Sequence, residues 1–143
     1  ARDFSSIAGD YSQTCSKLEQ LTLAMFMETG NYQTHIKKIR KLYSQKLAAV
    51  VDAFAKEAPD FVDVINTSSG INLILQIYSQ KPARQLKKDA EELGIPVIFY
   101  GNRTGKGPAG KSKGAASLIL YYNQIPLSDI SDAVKHLVKR WQE

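Results

Sequence analysis

The chain has 143 residues, a net charge of +5 and 43% hydrophobic residues, so one globular domain with a real core is expected. No apolar run approaches the length that spans a bilayer, and the single cysteine, Cys15, excludes an intrachain disulfide and fits a reducing compartment. The opening ARDFSSIAGD has no apolar stretch and no Met start, so it reads as neither a signal peptide nor a natural start, and the chain is expected to be a fragment.

Residues 1–13 show no periodicity and read as an irregular lead-in; residues 14–143 read as the domain. A helix is predicted from Thr14, with Thr14 or Ser16 as cap and Gly30 as stop. Leu18, Leu21, Leu23, Ala24, Met25, Phe26 and Met27 make it apolar on most sides. Such a helix needs a neighbour, either another part of the chain or a second subunit. From Gly30 to Pro59, Tyr32, Ile36, Ile39, Tyr43, Leu47, Val50 and Phe54 recur at steps of four and three, one stripe of a long helix. Asn31 is the predicted cap, and Ala58-Pro59 ends it, since a residue before proline is pushed out of helical geometry.

Residues 60–67 alternate as a first strand, Ser68-Ser69-Gly70 turn the chain, and residues 71–79 form a stronger strand. The latter puts Ile71, Leu73, Leu75 and Ile77 on one face, with Asn72, Ile74 and Gln76 on the other. Residues 81–93 read as an amphipathic helix with Pro82 in its first turn, a Leu86, Ala90, Leu93 stripe and Gly94 as stop. Strands follow at 95–101 and 117–123. A last helix opens at Ser128 or Asp129 and turns Ile130, Val134, Leu137, Val138 and Trp141 inward. The order α-α-β-β-α-β-β-α predicts an α/β (α+β) fold, a mainly antiparallel four-stranded sheet backed by helices on one face.

Two stretches concentrate positive charge: Lys37, Lys38, Arg40, Lys41 and Lys46 on the long helix, and Arg103, Lys106, Lys111 and Lys113 in a loop. A basic helix face can meet phosphates, but no aromatic or Asn/Gln base-reading pattern is interleaved, and a solvated face explains it. Residues 105–112, GKGPAGKS, match the nucleotide-binding pattern GxxxxGKS. That motif works where a strand feeds the loop and a helix leaves it. Here Lys113-Gly114 and a β run follow, so a Gly/Lys loop between two strands accounts for the composition; a small nucleotide-binding domain stays as an alternative. His35 and His136 sit among lysines on polar helix faces, Cys15 has no histidine near it in sequence, and no group has metal-ligand spacing.

Residues 11–54 contain a helix ending in Gly30, then a tyrosine, then His35, Ile36, Lys37, Lys38, Ile39, Arg40 and Tyr43. This run resembles the second half of fold type I, pyridoxal-phosphate-dependent aminotransferases, and above all the aminotransferase-like effector domain of MocR/GabR-type (GntR-family) bacterial transcriptional regulators. The strands SSGINLILQI and LGIPVIFY and the terminal LILYYNQIPLSDISDAVKHLVKRW carry the resemblance through residues 10–141. It implies the small C-terminal domain of that fold, in a longer cytoplasmic protein. That protein would be a homodimer with an N-terminal winged helix-turn-helix domain for DNA and no membrane segment.

The departures favour a regulator over an enzyme. Thr67-Ser68-Ser69-Gly70 and Tyr100-Gly101-Asn102-Arg103 replace motifs usual in working aminotransferases. Ile119 falls in the register of the arginine that grips the substrate carboxylate, and an aliphatic side chain cannot make that bidentate pair. The coenzyme's lysine belongs upstream, so pyridoxal 5'-phosphate is implied in the intact protein and no covalent attachment is expected here. By resemblance, Tyr11, Ser12, Gln13 and Thr14 belong to the dimer interface and reach toward the partner's coenzyme pocket. Arg103, with Tyr100 and Asn102, is the cation best placed to meet the carboxylate of an effector, an amino compound or the coenzyme itself. A genuine aminotransferase is the alternative parent.

Overall fold

The computed structural model describes residues 16–67, 70–104 and 114–143, and only the backbone of Arg103, Thr104, Gly114 and Ala115. Contacts divide the chain at Ile39/Arg40 into a smaller unit and a larger one.

In the smaller unit, helix α1 spans Lys17–Glu28 and buries none of its residues. Leu18, Leu21 and Met25 are 73%, 63% and 63% exposed. Its C-terminus closes as predicted: Gly30 adopts φ 76°, and its carbonyl receives the N–H of Thr34. Asn31 is not the cap. It is the first residue of helix α2 (Asn31–Glu57), and its amide donates to Thr29 Oγ1. Because Gly30 supplies the first accepting carbonyl, Asn31 is already inside the helix. Phe26 meets the rings of Tyr32 and His35 edge-on, with centroids 6.3 Å apart in both pairs.

The larger unit holds the core. Over its 27 residues α2 is about 40 Å long, and its stripe is buried only toward the C-terminal end, at Val50, Ala53 and Phe54. The sheet consists of β1 (Val62–Val64), β2 (Asn72–Tyr78), β3 (Val97–Thr104) and β4 (Gly114–Tyr121) in the order β1-β2-β4-β3, with every neighbouring pair antiparallel. Helix α3 (Ala83–Glu92) precedes β3. A 3-10 turn (Leu127–Asp129) leads into helix α4 (Ile130–Gln142). The sequence-based fold is thus the observed one.

Period-2 alternation sends Leu73, Leu75 and Ile77 of β2 and Ala116, Leu118 and Leu120 of β4 to one face. There they pack with Val50 and Phe54 of α2, Leu86 and Ala90 of α3, and all five predicted residues of α4. Trp141 joins the three helices: its ring stacks on Phe54 at 6.5 Å, and its Nε1–H donates to Leu86 O at 2.9 Å.

Boundaries differ where packing outweighs propensity. β1 keeps only three of its eight expected residues, and Ile71 lies outside β2 and is exposed. Leu93 caps α3 instead of joining its stripe, because the chain turns at Gly94 (φ 71°); Pro82 is the N-cap. β3 runs on to Thr104 and β4 starts at Gly114, pairing Asn102, Arg103 and Thr104 with Ala116, Ala115 and Gly114. Glycine and alanine carry little strand propensity, so β4 begins three residues before its predicted start; here the partner strands decide.

Candidate functional site

Of the residues the sequence singled out, Tyr11, Ser12, Gln13, Thr14, Cys15 and the 105–112 loop lie outside the described residues. The loop's flanks are described. β3 and β4 are antiparallel neighbours, and a strand begins at Gly114 where a P-loop requires a helix. Tyr100 is the extra residue of a β-bulge between Phe99 and Gly101, exposed on the edge strand; Asn102 is exposed opposite Ala116, and Arg103 pairs along the backbone with Ala115. Bulges re-aim side chains at sheet edges.

Lys46 departs from its expected place on a basic surface. It is buried on α2, donates from Nζ to Asn123 O at 2.8 Å and lies 6.0 Å from the Tyr43 ring centroid. The other cations of that stretch, Lys37, Lys38, Arg40 and Lys41, remain exposed. Burial, with the neighbouring Tyr43, pushes the Tyr122 hydroxyl above its ordinary pKa. Sequence periodicity held the signal for Lys46: it precedes Leu47 and lies four residues before Val50 on the same helix face.

A second polar cluster binds α3 to α4. Asp89, buried, accepts from Gln85 Nε2 at 2.7 Å and Lys81 Nζ at 3.1 Å, while Lys81 also donates to Arg140 O at 2.7 Å. Burial alone would raise the Asp89 pKa. The hydrogen bonds from Gln85 and Lys81, with the charges of Lys81 and Arg140, outweigh it and hold the carboxyl below its usual range. This arrangement has no open coordination and serves packing.

The sheet face away from the helices holds the remaining candidate surface. Ile119 lies there with Ile74 and Ile98 directly opposite it on either side, so one isoleucine from each of three strands forms a single row. The next row carries Asp63, Gln76, Ser117 and Gly101. Tyr78 donates to Asp63 Oδ2 at 2.8 Å, and Ser117 Oγ is sealed without a hydrogen-bond partner among the described residues. This face can wall a ligand site. Among the described side chains it carries no cation for a phosphate, and the buried amine of Lys46 is engaged at Asn123. No His/Cys/Asp/Glu group suited to a metal occurs among the described residues, and no described helix is long and apolar enough to cross a membrane.

This fold is that of the C-terminal part of fold type I aminotransferases. The α-aminoadipate aminotransferase LysN of Thermus thermophilus, solved with N-(5'-phosphopyridoxyl)-L-leucine, superposes with a TM-score of 0.64 at 19% identity over 87% of this chain and 30% of its own. The kynurenine aminotransferase of Pyrococcus horikoshii gives 0.59 at 17% identity over 80% of this chain and 27% of its own. Sequence similarity points to a narrower class. The chain is 30% identical over 132 residues to the uncharacterized HTH-type transcriptional regulator YdeL of Bacillus subtilis (strain 168), covering 92% of this chain and 27% of that protein. YhdI, another uncharacterized HTH-type transcriptional regulator of that strain, is 32% identical over 85 residues, 59% of this chain and 18% of its own. No family model matches. The chain therefore spans about a quarter of the length of the curated relatives it matches. The resemblance to the C-terminal aminotransferase-like part of MocR/GabR-type regulators agrees with both comparisons.

Proposed function

We propose that the chain is the effector-response and dimerisation part of a pyridoxal-phosphate-binding, aminotransferase-like transcriptional regulator, and that it is not catalytic alone. The observation that carries this reading is a division between fold and sequence: the architecture is shared with aminotransferases, whereas the relatives matched along 92% and 59% of the chain are named HTH-type transcriptional regulators. Ile119 supports it. An aliphatic residue within an isoleucine row stands where the resemblance puts the substrate-gripping arginine, so the carboxylate clamp of a working transaminase is missing at that position.

In this reading the rest of the intact protein supplies the coenzyme's lysine and phosphate site, and DNA is bound by an N-terminal winged helix-turn-helix domain. An amino compound, or the coenzyme, acts as effector. The small domain shifts over the occupied pocket and biases the geometry of the homodimer and its DNA-binding arms. Arg103, Tyr100 and Asn102 are the proposed effector contacts, with residues 11–14 reaching the partner subunit. The apolar surface of α1 is the proposed contact between subunits.

The test uses the intact protein. Expected are the visible absorbance of bound coenzyme, effector-dependent operator binding and no turnover of amino donors. Steady transamination would replace the regulator with an enzyme. Tight ATP binding lost in Lys111→Ala would replace both with a nucleotide-binding domain.

A further inference from the structure

We infer that the solvent face of α2 is a second DNA contact of the intact protein, one that holds the phosphate backbone without reading bases. The inference rests on the regulator reading, which supplies the duplex. Lys37, Lys38, Arg40 and Lys41 are all exposed on this one continuous helix. At 3.6 residues per turn they fall within about 160° of its circumference, and the exposed Gln33, Ser44 and Gln45 fall within the same arc. The strip from Gln33 to Gln45 is about 18 Å long, and each of these seven side chains carries a hydrogen-bond donor. Ile36, Ile39, Tyr43 and Leu47 occupy the opposite side, half-buried.

Nothing along this helix neutralises the strip. No acid occurs between Glu28 and Asp52. The ion pairs among the described residues lie at α3 and α4 instead, where Lys87 meets Glu91 and Lys88 meets Glu92 one helical turn away. In α2 the residues one turn apart, Lys37 and Lys41, carry the same sign, and like charges at that spacing destabilise a helix. Nor do they stand in the last turn, where the helix dipole favours cations; Lys56 holds that place. Repulsion without a local reward is relieved by a polyanion, and charge thus selects the occupant. Lys, Arg, Ser and Gln all bond phosphate oxygens whatever the base sequence, and no Asn or Gln is interleaved among the four cations to read a base edge.

The experiment follows the binding of the intact protein to a labelled random-sequence duplex by fluorescence anisotropy, between about 50 and 200 mM salt. Lys37→Gln combined with Lys41→Gln is expected to weaken binding about tenfold or more. The slope of log affinity against log salt should become shallower by about two for each subunit in contact. Lys135→Gln with Lys139→Gln removes the same charge from exposed positions of α4 and should leave the slope unchanged. Arginine at 37 and 41 should restore the wild-type slope, since charge and not side-chain shape carries the contact. An unchanged slope in the α2 variant would leave the strip to solvent or to an acidic protein surface. Equal losses from the α2 and α4 pairs would reduce the effect to net charge; either result overturns the inference. If every variant binds like the wild type, this inference falls alone, whereas a wild type that binds no duplex takes the regulator reading with it.

Discussion

Helices α1 and α4 have 12 and 13 residues and similar apolar content, yet α1 buries nothing and α4 buries five side chains. The difference lies in arrangement. In α4 the apolar residues fall at positions 130, 134, 137, 138 and 141, one stripe that a sheet can cover. In α1 they surround the axis, and no single neighbour could cover them all. A stripe specifies a partner within the chain; the all-round apolar α1 is the surface proposed above to meet a second subunit.

The largest expected effect breaks the α4 side of this comparison. Trp141→Ala removes a buried ring stacked on Phe54 and the donor to Leu86 O, and is expected to cost about 3–5 kcal/mol in thermal or denaturant unfolding. Leu21→Ser in α1 is expected to leave the unfolding of the core within about 0.5 kcal/mol of wild type, as surface substitutions do. Its effect should appear as weaker self-association in sedimentation of the intact protein. Equal losses at both positions would show that α1 is covered within its own chain.

Next comes the polar tie behind Trp141. Asp89→Ala leaves Lys81 and Gln85 without their shared acceptor and is expected to cost about 1–3 kcal/mol at neutral pH. Because the folded-state pKa of Asp89 is depressed, its contribution is complete above the unfolded carboxylate value. It is lost as pH falls through the lower folded value. Melting between pH 7 and 2 should therefore show the variant's deficit shrinking with acid, and a constant deficit would remove the ionised carboxylate from the account.

Much of this was legible in the sequence. Element order, the α4 stripe and the inward face of β2 followed from periodicities of 3.6 and 2, since both reflect burial on one side. The helix stripe held the signal that Lys46 is buried beside Val50, but not its partner: Asn123 O lies 77 residues away, and no local pattern encodes a long-range carbonyl. The start of β4 was lost for a related reason: Gly114 and Ala115 extend only because Tyr78, Arg103 and Thr104 lie in register beside them. The isoleucine row existed in sequence as three separate residues, and strand register assembles it. Lys46→Met keeps the stem packed but deprives Asn123 O of its donor; a loss of about 1–2 kcal/mol, without the pH dependence of Asp89→Ala, is expected in the same melts.

The smallest effect sharpens the comparison most. Gly30 and Gly94 share nearly the same left-handed backbone, φ 76° and 71°, and a Cβ added at either meets no atom within 4 Å. Alanine at either position therefore carries similar backbone strain, about 1 kcal/mol, and no clash. What differs is the structure around each. Gly94 closes α3 between buried Ala90 and Ile95, so Gly94→Ala should lower the midpoint of the main unfolding transition. Gly30 joins α1 to α2 where no neighbouring residue is buried, so Gly30→Ala should speed amide exchange at Gly30 and Thr34 and leave the main transition in place. If Gly30→Ala lowered the main midpoint as much as Gly94→Ala, the helical junction would be unfolding together with the core.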